Sequence, residues 1–594
     1  EEERKRRRTL ISNLRAISIR IPLLVYGADI PFEQDINIDN LTDIVDDVSW
    51  EEFMPKGLTK EDFKRCKKFY DETIFVGAGR AIRNRIKDAE KLPVMERVKE
   101  IAEIFGTFRN PDKETVLTPW RVVNMHLGNC LGGFNFFDED FKHTLETPRC
   151  IDHGKVSEET VWNTDAKILE VNSKTGLYPL YMAYSIFTAR RQKKPEVSDE
   201  QHWADTLKEN IFVLCKTPMA VSITRRTLAG FKNLQVNAKY RKDLVKDAQE
   251  ENSREKLARE IQSGKNFWKI NEDKDMKFDA IVGNPPYQIS DGGNKSSSMP
   301  IYNIFVELGK QINPNYLSMI MPARWFGGGK GLNEFRTMML NDNHISKLYD
   351  YNDARDCFPT VDIAGGICYF LRDIRHNGKC WVINNRKSEQ FEALRPLNEF
   401  PTFIRDCRAI SIVRKVLSAN EPKMSEQVSS SKPFGLRTFV RPMSEGDLIL
   451  RWQNGEGPYK RSAISVGLNI IDEYKVITSY VGYDHAGTPG SDGRRKVFSR
   501  IDILPPGTIC NETYLVVGHY KTKNEAENLV IYMKTMFFRF LVSQFMYSHH
   551  ITKEAYAFVP VLDQTKTWTD SELYKKYKLT DIEESYIAQM IRRM

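Results

Sequence analysis

The stretch FDAIVGNPPYQIS, Phe278 to Ser290, decides how this chain is read. It runs apolar from Ala280 to Val282 and turns through Gly283 into Asn284-Pro285-Pro286-Tyr287. Gly, Asn and Pro build ordinary turns, so a strand-end turn is the plainest reading. The same order of residues also fits a chemical task. An exocyclic amine on an aromatic ring is a poor nucleophile, because its lone pair is delocalised into the ring. Two acceptors that grip its two N–H groups draw the nitrogen toward tetrahedral geometry and localise that pair. Asn284 offers an amide oxygen and Pro285 a carbonyl. The Pro285-Pro286 pair fixes φ twice, so both acceptors are held before anything binds. Tyr287 supplies a ring for stacking on a planar base, and an enzyme that modifies a base must flip it into such a pocket.

The rest of the chain bounds this reading. At 594 residues it exceeds one hydrophobic core, and length alone suggests about three or four domains. No apolar run approaches the roughly 18 residues of a membrane span. The opening EEERKRRR is not a signal peptide, and we expect a cytoplasmic protein. The chain begins on Glu1 rather than methionine, so we expect it to be part of something longer. Its nine cysteines are dispersed, with no C-x-x-C pair, which reads as reduced thiols and no metal site. Adjacent His549 and His550 do not share a helix face and are not read as metal ligands. A net charge of +8 permits a nucleic-acid partner without requiring one.

Composition divides the chain in three. Residues 1–112 carry charged, helix-spaced patterns with no catalytic signature, and the ERKRRR run reads as a solvated helix face. From 113 to 385, short apolar runs such as AKILEV, NIFVLC and FDAIVG alternate with amphipathic stretches. That alternation predicts an α/β domain on a parallel, doubly wound sheet, with ligands at the carboxyl ends of the strands, where GNPPY falls. Residues 386–594 lose the alternation and predict a mixed α+β region. Within it KMSEQVSSSKPFG (423–435) has linker or loop composition, and NEAENLVIYMKTMFFRFLVSQFM reads as a long helical stretch. Its stripe Tyr532, Met536, Phe537, Phe540 and Leu541 reads as core.

With these segments in place the chain resembles the amino-group DNA methyltransferases that use S-adenosylmethionine (SAM). Besides GNPPY, TPWRVVNMHL (118–127) is similar to the Thr-Pro motif over the methionine end of SAM. AKILEVNSKTGLYPLYMAY (166–184) is similar to the strand, loop and helix that cradle the cofactor. CFPTVDIAGGICYFL (357–371) is similar to the later strand whose aromatic stacks on the flipped base. The cofactor motifs precede the catalytic one, which is the gamma-class order. PIYNIFVELG, PARWFGGGKGLNEFR and the Gly-Gly before CYFL resemble the large restriction–modification methylases, often fused to helicase or nuclease regions. The resemblance implies a Rossmann-like SAM-dependent methyltransferase sheet and an adenine-N6 DNA methyltransferase. It makes Asn284, Pro285, Pro286 and Tyr287 catalytic, with Tyr287 and Phe358 clamping the base. It assigns Thr118, Pro119, Glu170, Asn172, Thr175, Gly176, Cys215 and Asp243 to SAM.

Two positions depart from the family pattern. The loop's first glycine is Lys174, and the acid that accepts from the cofactor's ribose is Cys215, a weak partner followed by Lys216. These departures keep a second reading open, a catalytically weak DNA- and SAM-binding specificity or regulatory module for an upstream helicase–nuclease. Cytosine N4 poses the same chemical problem as adenine N6. The same tetrapeptide also occurs in methylases of protein glutamine or RNA guanine, against which the long basic C-terminal region argues. In that region Arg451, Trp452, Tyr459, Lys460 and Arg461 form one basic–aromatic group, and Arg494, Arg495 and Lys496 form another. Such interleaving suits phosphate contacts and base reading, so we expect target recognition on double-stranded DNA there.

Overall fold

The computed structural model describes residues 11–109, 116–270, 275–289, 299–359, 361, 363, 365–386, 389–484, 490, 492–546 and 550–594. The basic run at 3–8 and His549 lie outside them. The chain forms two compact units. The first is Glu1–Ala323 with Gly329–Ser388 and Leu394–Pro396; the second is Arg324–Gly328 with Glu389–Ala393 and Leu397–Met594. Among the described residues no helix is long and apolar enough to cross a membrane.

The first unit is built on an α/β sheet. Eight of its nine strands are β1 (Ile168–Val171), β2 (Ile211–Cys215), β3 (Asn237–Tyr240), β4 (Ala280–Gly283), β5 (Tyr316–Pro322), β6 (Ile345–Tyr351), β7 (Ile367–Asp373) and β8 (Cys380–Arg386). They run in the order β8-β6-β7-β5-β4-β1-β2-β3. Strands β1, β2, β4 and β5 are buried at every position, which is why they read as continuous apolar runs rather than as alternation. Strands β3-β2-β1-β4-β5 are parallel, and β8 lies parallel to β6. The sheet is not wholly parallel, however, because β7 runs antiparallel to both β5 and β6. Its first residue, Ile367, pairs with Tyr351 at the end of β6. A connection that returns at the same end of a sheet allows only antiparallel pairing.

Three helices frame the carboxyl ends of these strands: α1 (Trp120–Cys130), α2 (Leu177–Lys193) and α3 (Pro218–Ala229). Helix α3 starts as its sequence dictates, with Pro218 in the first turn and the Thr217 side chain accepting from the Ala220 amide. Helix α2 ends on Arg190, Arg191 and Lys193, cations that suit the negative end of the helix dipole. The helices of the N-terminal region belong to the same compact unit as the sheet. Helix Ile21–Gly27 packs on α3, with the Tyr26 hydroxyl 3.1 Å from Thr227 Oγ1 and Arg226 donating to the Ala28 carbonyl at 3.0 Å.

The second unit is mixed α+β. Leu448–Trp452 pairs antiparallel with Gly455–Tyr459 and parallel with Thr508–Cys510; Tyr474–Ser479 pairs with Ile501–Leu504 and Tyr514–Tyr520. Two expectations are refined here. The predicted long helical stretch is two helices, Lys523–Lys534 and Met536–Ser543. Thr535 between them caps the second, its hydroxyl oxygen accepting from the Phe538 amide, and Asp570 accepts from the Met536 and Phe537 amides. Those acceptors satisfy a fresh helix start, so the break costs little. The apolar stripe is core as expected, with Tyr532, Phe537, Phe540 and Leu541 fully buried. The segment 423–435, read as linker or loop, is a packed loop and not a free linker: Met424 and Phe434 are buried, and the Met424 amide donates to the Val559 carbonyl. Polar composition concealed those two anchoring side chains.

Candidate active site

The site grows from the carboxyl ends of β1 and β4, which are neighbours. Gly283 closes β4 where the two strands approach closely; a Cβ there would stand 2.8 Å from the Val171 carbonyl oxygen. Directly beyond it Asn284, Pro285, Pro286 and Tyr287 are all buried. Asn284 Nδ2 donates to Thr118 Oγ1 at 2.9 Å, just before α1. The other amide atom, Asn284 Oδ1, is buried with no hydrogen-bond partner among the described residues. The Tyr287 carbonyl accepts from the Ile301 amide, which pins the far end of the tetrapeptide.

At the end of β1 three more polar atoms are buried and unpaired among the described residues: Glu170 Oε2 and both side-chain polar atoms of Asn172. Asn172 also has φ +64°, a left-handed conformation that a non-glycine residue rarely adopts outside functional sites. Buried polar atoms without partners are costly, so several converging at the ends of two adjacent strands mark a place shaped for a polar ligand. Burial pushes the Glu170 carboxyl up to about 8.

The Gly-containing loop then enters α2 through Gly176, at φ +75°. A side chain there would press on Thr224 Cα and Thr227 Cβ of α3, at 3.1 and 3.2 Å. The glycine is therefore required by backbone conformation and helix packing, in addition to the close approach expected from sequence. Thr175 is buried beside it, and Lys174 is half-buried. Pro119 forms the cap of α1. Helix α1 is held against the sheet by His126, buried and kept neutral by burial, its pKa pushed down to about 3. Its Nε2 lies 2.8 Å from Ser318 Oγ and its Nδ1 2.8 Å from the Tyr178 hydroxyl. Ser318 spends its proton on the Phe370 carbonyl, so His126 Nε2–H donates to Ser318 and Nδ1 accepts from Tyr178.

The remaining assignments separate. Cys215, fully buried at the end of β2, has its thiol pushed well up, by burial first and then by nearby Glu170. Lys216 next to it is paired with Glu52 at 2.7 Å, and the Ser49 hydroxyl accepts from the Met219 amide at 3.0 Å. Both partners come from helix Asp47–Phe53 of the N-terminal region, so a carboxylate does stand at the end of β2. Sequence reasoning missed it because Glu52 is 164 residues away and carries no motif. Asp243 is exposed on the loop after β3 and touches none of the unpaired polar atoms. Tyr287 and Phe358 do meet, ring centroids 6.5 Å apart, but edge-to-face at 77° and buried in one core cluster. In this arrangement both rings cannot lie flat on one base.

In the second unit most of the basic and aromatic residues singled out from the sequence have partners within that unit. Arg451 is paired with Glu456 and Asp502, Lys460 with Glu445 at 3.2 Å, and Arg461 with Asp472 through two contacts of 2.6 and 2.9 Å. Tyr459 is buried core, and Trp452 lies under the Arg441 guanidinium at 4.4 Å. Arg494 is exposed, Arg495 donates to the Ser543 carbonyl, and Lys496 sits over the exposed Tyr483 ring at 4.5 Å.

Residues 209–358, which include β2 through β6, the tetrapeptide and Phe358, match the family of the Eco57I restriction-modification methylase. An uncharacterized adenine-specific methylase of Mycoplasma pneumoniae is 36% identical over 118 residues, 19% of this chain and 28% of that protein. Among solved structures, the ATP-dependent Type ISP restriction-modification enzyme LlaBIII bound to DNA aligns with 90% of this chain and 44% of its own, at 11% identity and TM-score 0.42. A nuclease-deletion mutant of the Type ISP enzyme LlaGI, in complex with a DNA substrate mimic, aligns with 83% and 50%, at 9% identity and TM-score 0.44. The chain thus spans half or less of each of these relatives. The family match thus covers β2 through β6, the tetrapeptide and Phe358, and does not extend to β1 or α1.

Proposed function

We propose that this chain is the SAM-dependent DNA adenine-N6 methyltransferase module of a restriction–modification or phage-defence protein, working on double-stranded DNA beside helicase or nuclease regions of a longer chain. The observation that carries the reading is the buried, unpartnered Asn284 Oδ1, aimed away from the Thr118 contact that fixes its amide. An acceptor with no partner, on a segment stiffened by two prolines, is what an exocyclic amine needs. The residues fit the cofactor: Glu170 would take its ammonium group, the Asn172 side chain its carboxyl end, and Thr118 and Pro119 would cover the methionine end. When bound, SAM supplies an electrophilic methyl group on a sulfonium. The chain's part is to hold the amine. Asn284 Oδ1 and the Pro285 carbonyl would accept its two N–H groups, which would localise the nitrogen's lone pair toward the methyl group and leave the surplus proton free to pass to solvent. Tyr287 or Phe358 must turn from its edge-to-face position for the base to be stacked. Transfer of labelled methyl from SAM to unmethylated duplex DNA, with total protein as a control substrate, tests the reading; label in protein but not in DNA would sink it.

The Glu170 carboxyl gives this reading a pH signature. Its folded value lies near 8, above the ordinary 4.5. Between those values the folded chain holds a proton that the unfolded chain has released, so this group adds stability at low pH and loses that contribution as pH rises through about 8. A cationic cofactor group requires the carboxylate, so binding must expel that proton. SAM affinity measured by calorimetry is therefore expected to rise roughly tenfold from pH 6 to pH 7. Glu170→Gln is expected to bind weakly with no such slope; an unchanged slope would remove Glu170 from the cofactor.

Glu52 fills the vacancy left by Cys215. Held by Lys216 at the end of β2, its carboxylate is the acceptor for the cofactor's ribose hydroxyls. Glu52→Gln is expected to raise the SAM dissociation constant about tenfold, the loss of one charge-assisted hydrogen bond of roughly 1.5 kcal/mol, and to leave DNA affinity unchanged. An unaltered SAM affinity would assign Glu52 to packing alone.

A further inference from the structure

Of the arginines that stand out in the sequence of the second unit, Arg451 and Arg461 are paired with acids in the structure. Two further arginines lie on a segment the sequence did not flag, Leu436-Arg437-Thr438-Phe439-Val440-Arg441-Pro442-Met443. Phe439 is 75% exposed, the most exposed aromatic side chain among the described residues. Arg437 and Arg441 flank it, both exposed, and neither has a carboxylate within 4 Å among the described residues.

The segment is held in shape. The Thr438 amide and hydroxyl both donate to Glu512 Oε1, at 3.1 and 2.9 Å. The Glu512 amide donates back to the Leu436 carbonyl at 2.9 Å. Arg441 donates to the Thr438 and Val440 carbonyls and lies over Trp452. Lys432 and Arg437 help hold the Glu512 carboxyl below its ordinary range, after the Thr438 hydrogen bonds. An exposed phenylalanine on a braced turn costs solvation in the free protein, and nothing in the packing of this unit requires it.

We propose that Phe439 is a wedge that enters duplex DNA between base steps, with Arg437 and Arg441 on the flanking phosphates. The proposal rests on the DNA reading above and adds the element that grips the duplex. The chemistry favours nucleic acid over a protein partner: an apolar ring between two guanidiniums with no acid partner matches a stacked base step between two phosphates. A braced turn also keeps the ordering cost of insertion low.

The test uses the full chain and random-sequence duplex DNA, so no recognition site is needed. Fluorescence anisotropy across a salt series is expected to show Phe439→Ala weakening binding at least fivefold with the salt slope unchanged, because a ring contacts no phosphate. Arg437→Ala is expected to weaken binding and reduce the slope by about 1. In Phe439→Trp, the emission added over the nine native tryptophans is expected to be quenched by DNA as the indole stacks on bases. Wild-type affinity in Phe439→Ala, or Phe439→Trp emission indifferent to DNA, would overturn the wedge while leaving the methyltransferase reading intact. A wild-type chain that does not bind duplex DNA at all would overturn both.

Discussion

Asn284→Ala is expected to lower methyl transfer to DNA by at least about 100-fold while leaving SAM affinity within twofold. The size follows from what the amide does. A preorganised polar group aimed at the reacting centre typically contributes a factor of 10²–10³ to turnover, more than any exposed contact in this molecule. The split between turnover and binding follows from position. Asn284 Oδ1 lies past the end of β4 and takes no partner, whereas the unpaired atoms suited to the cofactor belong to Glu170 and Asn172 at the end of β1. The Thr118 contact sharpens the expectation. With Nδ2 held at 2.9 Å, the amide's orientation is fixed and its oxygen is the atom left without a partner among the described residues. Steady-state kinetics with calorimetry check this; equal losses in SAM affinity and turnover would show that Asn284 only shapes the cofactor pocket.

The largest structural effect is expected at Gly366, between the Phe358 loop and β7. Its φ of +82° is one that a residue with a Cβ adopts at a cost. A Cβ would also collide with the Tyr351 carbonyl oxygen and stand 2.8 Å from that of Asn352. These are backbone atoms at the end of β6, and β6 pairs on both sides, so they cannot retreat. Meanwhile the Gly366 carbonyl accepts from the Ala323 amide at 2.9 Å, which fixes the residue from the other side. Gly366→Val is therefore expected to destabilise the protein by about 3 kcal/mol or more, combining backbone strain with overpacking. Denaturant unfolding measures it; a loss below about 1 kcal/mol would mean that the β6–β7 connection relaxes freely.

The same residues show what a sequence can carry. The Gly-Gly before CYFL and the GNPPY tetrapeptide are legible because backbone requirements fall on local letters: positive φ, close approach, fixed φ. The buried strands are legible too, since a strand covered on both faces has no polar positions to interrupt it. Pairing between distant residues is not. Nothing local tells that Glu52 stands beside Lys216, or that Asp472 and Asp502 neutralise Arg461 and Arg451. Charge patterns alone therefore pointed to Arg451 and Arg461, which the fold pairs with acids, and passed over Arg437 and Arg441, which have no carboxylate within 4 Å among the described residues. The direction of β7 was equally hidden, because it depends on which end of β6 the chain returns to.

One measurement tests the central claim most directly. The chain is incubated with SAM and unmethylated genomic DNA, the DNA is digested to nucleosides, and methylated bases are identified by mass spectrometry, with Asn284→Ala alongside. The account expects N6-methyldeoxyadenosine from the wild-type chain and none above background from the variant. A folded chain that binds both SAM and DNA yet leaves no methylated base, or a variant as active as the wild type, would contradict it.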